Sequence, residues 1–297
     1  MRKLPYTVLV LFVAILLAGC SFSSGQRSQK TMNLTADHVA GSAVEVRSRN
    51  GRIEVVAAPN RTDVAITAKL YVRAATMAEA EERLAASTLL IIRTADGTLL
   101  VEPKFPEPVR GGDGASILIE LPDVHGATLR TSNGSVHTHG LTGTLIIDTS
   151  NGSVEVVNHD GDTTVDTSNG SITVDDHVGA LAADTSNGSI RINGLNGPVV
   201  ADTSNGSIVL TLHADQTGPI NLETSNGSIT VRVGVSFAGT VTLDTSNGSI
   251  IVRDHVGRIT SQKISKTYGR IVVGEGGKAS RLDTSNGRIR FTISGLS

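Results

Sequence analysis

One heptapeptide, Asp-Thr-Ser-Asn-Gly-Ser-Ile/Val, returns along the C-terminal half of the chain at an almost fixed interval, and this periodicity limits the fold more than any other feature. Asn-Gly pairs start at Asn133, Asn151, Asn169, Asn187 and Asn205 with spacings of 18, then at Asn226 and Asn247 with spacings of 21. Another 21 residues lead to the degenerate Tyr268-Gly269-Arg270-Ile271, and 18 more to Asn286-Gly287. Nine units thus occupy nearly all of the C-terminal half, and a tenth, Asn50-Gly51-Arg52-Ile53, stands apart.

Each unit alternates with period two on both sides of its Asn-Gly. Four residues before the Asn come Ile147, Val165, Ala183, Ala201, Leu222, Leu243, Ile264 and Leu282, and three and five residues after it come pairs such as Val154 with Val156 and Ile289 with Phe291. This pattern predicts two short half-buried strands joined at a bend. Gly143, Gly161, Gly179, Gly197, Gly218 and Gly239 supply the next turn, where a left-handed backbone is cheap only for glycine. The three additional residues of the long units fall in that turn, which leaves the inner register untouched.

Two architectures fit. Asn-Gly is a strong hairpin signal, which suggests a meander of antiparallel strands. Near-identical units stacked about 4.8 Å apart would instead pair like with like in continuous side-chain columns. The stack is the preferred reading: an all-β, single-stranded β-solenoid (β-helix) of 18–21-residue coils over residues 126–297, with the repeat ladder Asn133, Asn151, Asn169, Asn187, Asn205, Asn226, Asn247 and Asn286. Residues 33–125 read as a small α+β cap on its first coil. There Val64–Val72 predicts a strand, Thr76-Met77-Ala78-Glu79 a capping box opening one short helix to about Ala86, and Asp96-Gly97 a hairpin turn. A strand at Ile117–Glu120 closes this region.

The N-terminus reads as an export signal. Met1-Arg2-Lys3 precedes an uncharged, mostly apolar run from Leu4 to Ala18, too short to span a bilayer. The ending Leu17-Ala18-Gly19-Cys20 resembles the bacterial lipobox, which implies cleavage of residues 1–19 and lipidation of Cys20, the only cysteine. Each buried acyl methylene contributes about 0.8 kcal/mol, so two or three chains anchor firmly. Residues 20–32 read as a flexible lipidated tether, with order starting near Met32. These features point to a lipid-anchored protein of the cell envelope, and Ser21 after the cysteine to the outer membrane in a Gram-negative host. Cleavage removes Arg2 and Lys3, taking the net charge from −2 to −4. With no evident basic face and no Trp, nucleic acid is not an expected partner.

The repeats, the early Asn50-Gly51-Arg52-Ile53-Glu54-Val55, the helix-bearing head and Leu121-Pro122-Asp123 resemble the bacterial "putative adhesin" family, DUF4097, from about residue 33 to the end. That resemblance implies a β-strand-repeat envelope protein, in some members tied to envelope stress responses, with no defined catalytic residue.

Chemistry is sought in columns. An acid lies three residues before most Asn positions: Asp148, Asp166, Asp184, Asp202, Glu223, Asp244 and Asp283. Stacked about 5 Å apart, like charges cost roughly 1 kcal/mol per neighbouring pair in water, which something should offset. Either Ser and Thr hydroxyls donate to the carboxylates, or Asp148, Asp166, Asp184, Asp202, Glu223 and Asp244 line a column of Ca²⁺ sites. His159, His177, His213 and His255 recur eight residues after an Asn, as solvated turn residues or as Zn²⁺ ligands, and His137 and His139 form a weaker pair. No catalytic residue and no required cofactor are assigned. The expected function is a non-enzymatic binding, adhesion or scaffolding lipoprotein that meets envelope polysaccharide or protein. The alternatives are an accessory protein of envelope stress sensing and, less favoured, a polysaccharide-active β-helix enzyme, with Arg258–Tyr268 read as a degenerate coil.

Overall fold

Alternation around each Asn-Gly becomes two short strands, and equivalent strands of different repeats lie side by side, parallel and in register. The computed structural model describes residues 25–295. Cys20, the expected signal segment and the first part of the expected tether lie outside that range. The chain divides into two compact units, one ending at Thr149 and one beginning at Ser150.

The first unit contains β1 (Gln26–Asp37), β2 (Val44–Arg47), β3 (Ile53–Ala57), β4 (Asp63–Ala74), α1 (Met77–Ala86), β5 (Thr88–Arg93), β6 (Leu99–Lys104), β7 (Gly114–Leu121), β8 (His125–Thr131), β9 (Val136–His139) and β10 (Thr142–Thr149). Two parallel ladders run through it, β6–β2–β8–β10 and β7–β3–β9. Antiparallel strands close their outer side: β5 on β6, β4 on β7, and β1 on β4. The capping box forms as expected, with Thr76 Oγ1 accepting from the Glu79 amide at 3.2 Å and Glu79 Oε2 from the Ala75 amide at 3.1 Å. The hairpin around Asp96-Gly97 also forms.

Two expectations for this unit need correction. Residues 26–31, expected as tether, are already strand, because the whole of β1 pairs with β4 from Gln26↔Ala74 to Asp37↔Asp63. Backbone hydrogen bonds fix this strand while its side chains stay mostly exposed or half-buried, so its polar composition reads as a tether. Secondly, Asn50-Gly51 does not stand apart. Asn50 bridges Asn133, whose Nδ2 donates to Asn50 Oδ1 at 2.8 Å across 83 residues of sequence. Residues on both sides of the expected 125/126 boundary therefore share the same ladders, and β2, β3, β6 and β7 are rungs as well as cover.

The second unit contains β11 (Val154–Asp160), β12 (Thr163–Thr167), β13 (Ile172–Val178), β14 (Leu181–Thr185), β15 (Ile190–Asn196), β16 (Val199–Thr203), β17 (Ile208–Leu212), β18 (Ile220–Thr224), β19 (Ile229–Val233), β20 (Gly239–Thr245), β21 (Ser249–Asp254), β22 (Ile259–Ile264), β23 (Tyr268–Val273), β24 (Ser280–Thr284) and β25 (Arg288–Ile293). One parallel ladder is β12–β14–β16–β18–β24–β20, and the other is β11–β13–β15–β17–β19–β25–β21. Their inner faces meet in columns such as Val165-Ala183-Ala201-Leu222-Leu282-Leu243 and Ile172-Ile190-Ile208-Ile229-Ile289, all buried. Each such Val, Leu or Ile contributes about 1.5–3 kcal/mol by leaving water.

Rung order departs from sequence order at the C-terminal end. The last repeat, β24–β25, inserts between the rungs of Asn226 and Asn247, and Tyr268-Gly269-Arg270-Ile271 is not a degenerate coil. It starts β23, which with β22 forms an antiparallel hairpin lying against β20. The physical reason is burial. Ile289 and Phe291 are 0 % exposed in the inserted position, whereas Ile250 and Val252 of the outermost rung are only half-buried. The hairpin in turn covers an edge of β20 that would otherwise offer unpaired backbone groups.

Candidate functional site

The bend of every rung is held by two columns. Thr167, Thr185, Thr203, Thr224, Thr284 and Thr245 are buried, and each donates its hydroxyl to a glycine carbonyl of the adjoining bend at 2.8–3.1 Å. Outside them the Asn amides chain together: Asn169 donates to Asn151, Asn187 to Asn169, Asn205 to Asn187, Asn226 to Asn205, Asn286 to Asn226 and Asn247 to Asn286, at 2.9–3.1 Å. Glycine follows each Asn because the rungs approach closely there. A Cβ on Gly188 would lie 2.0 Å from the Gly170 carbonyl oxygen, and Gly206, Gly227 and Gly287 are equally confined.

The acids also align. Asp166, Asp184, Asp202, Glu223, Asp283 and Asp244 occupy one register position on successive strands, with Asp283 inserted before Asp244. Asp148 sits in the first unit opposite Arg130. The threonines expected as donors are engaged elsewhere, each serving a glycine carbonyl. Among the described residues, Asp184, Asp202, Glu223 and Asp244 accept no side-chain hydrogen bond. Burial, then the neighbouring charges of Asp184 and Glu223, raise the Asp202 pKa above the usual carboxylate range. The column presents one carboxylate per rung, and among the described residues no group of three or more His, Cys, Asp or Glu is gathered that could hold a metal ion.

His159 and His177 are not solvated turn residues: they are 2 % and 0 % exposed, with ring centroids 5.4 Å apart. Asn158 and Asp176, immediately before them, have φ of 53° and 55°, and Gly194 at the same place in the next rung has φ of 68°. This left-handed residue shifts the strand's phase, so the residue after it points inward and His159, His177 and Leu195 form one column. Asn, Asp and Gly are the types that visit this conformation most readily, and their recurrence seven residues after Asn151, Asn169 and Asn187 is the sequence signal for the bulge. His177 Nε2 lies 2.9 Å from Thr163 Oγ1. Burial, then the neighbouring His159, lowers its pKa to about 4. His213 stays outside because Leu212 takes its place opposite Leu195. His255 is exposed, and His137 and His139 lie on β9, half-buried and exposed respectively.

Sequence reading overlooked a basic face. Residues 150–224 hold ten acids and one base, whereas residues 225–295 hold ten bases and four acids. Arg232, Arg253, Arg288 and Arg290 come together on the outer face of β19–β25–β21. A windowed charge count would reveal the excess, but only the inserted rung brings these four side together.

A family described as a domain of unknown function, DUF7330, matches residues 161–291, somewhat under half of the chain. It is not DUF4097, the family that the motifs resemble. No curated protein matches. Among solved structures, a "putative adhesin" from Bacteroides fragilis NCTC 9343 is similar at 13% identity, covering 89% of this chain and 97% of that one with a TM-score of 0.37. A "putative adhesin" from Parabacteroides distasonis ATCC 8503 is similar at 12% identity, covering 88% and 97% with a TM-score of 0.46. A "putative lipid binding protein" from the same species is similar at 10% identity, covering 90% and 96% with a TM-score of 0.35. Similarity at this level carries no statement of function.

Proposed function

We propose that the chain is a non-enzymatic binding or scaffolding lipoprotein of the bacterial cell envelope, built as a single-stranded β-solenoid. The observation that carries this reading is the recurrence of one outward residue type at one register position on rung after rung, with Asn over Asn and acid over acid. A catalytic centre gathers unlike groups at one point. A periodic face instead suits a periodic or extended partner, and the buried Thr and Ile columns keep that face rigid.

In this proposal Cys20 carries the lipid and the repeats stand off the membrane. The test is twofold. Palmitate labelling in a bacterial host should depend on Cys20 and disappear in Cys20→Ser. The Cys20→Ser chain should still co-sediment with isolated cell envelope stripped of lipid. Labelling that survives the substitution removes the anchor, and failure to bind stripped envelope removes the binding role.

A further inference from the structure

We propose that the outer face of β19–β25–β21 is a binding site for an anionic polysaccharide, an inference that rests on the envelope-binding role and names its partner class. Arg232 and Arg253 share one register position on either side of Thr292, and Arg290 lies two residues before Thr292 between Thr230 and Ile251. Arg288 comes two residues earlier still, with its Nε 3.4 Å from Ser249 Oγ. Strand spacing puts the backbones of Arg232 and Arg253 about 10 Å apart, and those of Arg288 and Arg290 about 7 Å apart.

Nothing on this face neutralises them. The outward positions of β17, β19, β25 and β21 carry Val209, Thr211, Thr230, Thr292, Ser249 and Ile251 besides the four arginines, and no acid. Among the described residues none of the four arginines forms an ion pair, in contrast to Arg281 on the other ladder, which bonds Asp283. Arg290 is half-buried, and its Nε has no hydrogen-bond partner. Four like charges within one small patch repel each other, and a polyanion lying across them relieves that repulsion.

The surroundings select the kind of polyanion. Guanidinium groups take carboxylate, sulfate or phosphate in two-pronged hydrogen bonds, and the interleaved Thr and Ser hydroxyls can both donate to and accept from sugar hydroxyls. No aromatic ring stands on the face to stack a nucleobase. Its two apolar residues, Val209 and Ile251, are half-buried and do not project as a membrane-inserting tip would.

The experiment measures binding of the full chain to polygalacturonate and dextran sulfate, with uncharged dextran and phosphatidylglycerol vesicles as the other arms. The anionic glycans should bind, uncharged dextran should not, and affinity should fall as salt is raised. The triple variant Arg232→Gln/Arg253→Gln/Arg290→Gln should lose roughly tenfold or more in affinity, while Arg47→Gln/Arg49→Gln in the first unit should not. Should the triple variant unfold, the exposed Arg253→Gln alone carries the comparison. The proposal is overturned if neither anionic glycan binds, if the triple variant binds as the wild type does, or if vesicles bind more tightly than the glycans. Binding to stripped envelope that persists without any glycan binding would remove this site alone and leave the broader role standing.

Discussion

Acid should weaken the second unit through His177. Its ring is fully buried, beside Thr163 and against His159, and the next residue in its column is Leu195. An unfolded chain protonates this imidazole near the ordinary value of 6.5, whereas the folded chain resists protonation down to about 4 because burial, then His159, disfavours the charge. Asp162 and Asp160 offset only part of this. Between those values the unfolded state binds more protons, so stability falls as pH drops below 6.5 and the loss is complete near pH 4. At 1.36 kcal/mol per unit, the full loss is about 3 kcal/mol, a large part of the usual stability of a domain.

The assay is urea unfolding of the wild type and His177→Leu in steps from neutral pH to about pH 4. Leucine continues the Leu195 column but leaves the buried Thr163 hydroxyl without its partner, which costs about 1–3 kcal/mol at neutral pH. The variant should therefore begin less stable and gain on the wild type by about 3 kcal/mol as the pH falls. Titrating groups that do not face His177 cancel in this difference, whereas His159, Asp160 and Asp162, which do, contribute to it. Asp202, whose raised pKa acts in the opposite direction, is common to both chains, as are Glu79 and Asp254 with their lowered values. Parallel pH profiles for the two chains would refute the reasoning, since they would mean that His177 titrates alike folded and unfolded.

Two substitutions test the packing argument by comparison with a neutral neighbour. Gly188→Ala puts a methyl group 2.0 Å from the Gly170 carbonyl oxygen, so it should cost about 3 kcal/mol or more in thermal or urea unfolding, while Gly111→Ala, with nothing within 4 Å, should stay within about 0.5 kcal/mol of wild type. Arg83→Ala strands the fully buried Asp113 carboxylate, now 2.7 Å from the guanidinium, and should cost about 3–5 kcal/mol. The exposed pair of Arg281 and Asp283 provides the contrast, with Arg281→Ala costing under about 1 kcal/mol. Equal losses at the two arginines would show that burial is not what makes the first pair matter.

Much was legible in the linear sequence because local pattern and local energetics agree. Period-two alternation on both sides of each Asn-Gly is enough to specify two strands and their inward faces. Thr76 and Glu79 announce the helix start, and Asp96-Gly97 the hairpin. Like-over-like pairing follows from near-identity of the repeats, since only that register lets every Thr reach a glycine carbonyl and every Asn an Asn. The inward turn of His159 and His177 was also written there, in the Asn, Asp and Gly that precede His159, His177 and Leu195, but it is visible only once their backbone dihedrals are known.

Rung order is a different matter. Because the units carry nearly the same bend motif, pairing one with its sequence neighbour or with another is nearly equal in local energy, and spacing by itself cannot choose. Tertiary structure chose by burial and by closing edges: Phe291 goes inside against Phe237, β22 and β23 cover the end of one ladder, and Asn50 reaches Asn133 across the helix-bearing head. That choice also assembles the basic face, because Arg288 and Arg290 lie between Arg232 and Arg253 only when the last repeat enters the stack ahead of its turn.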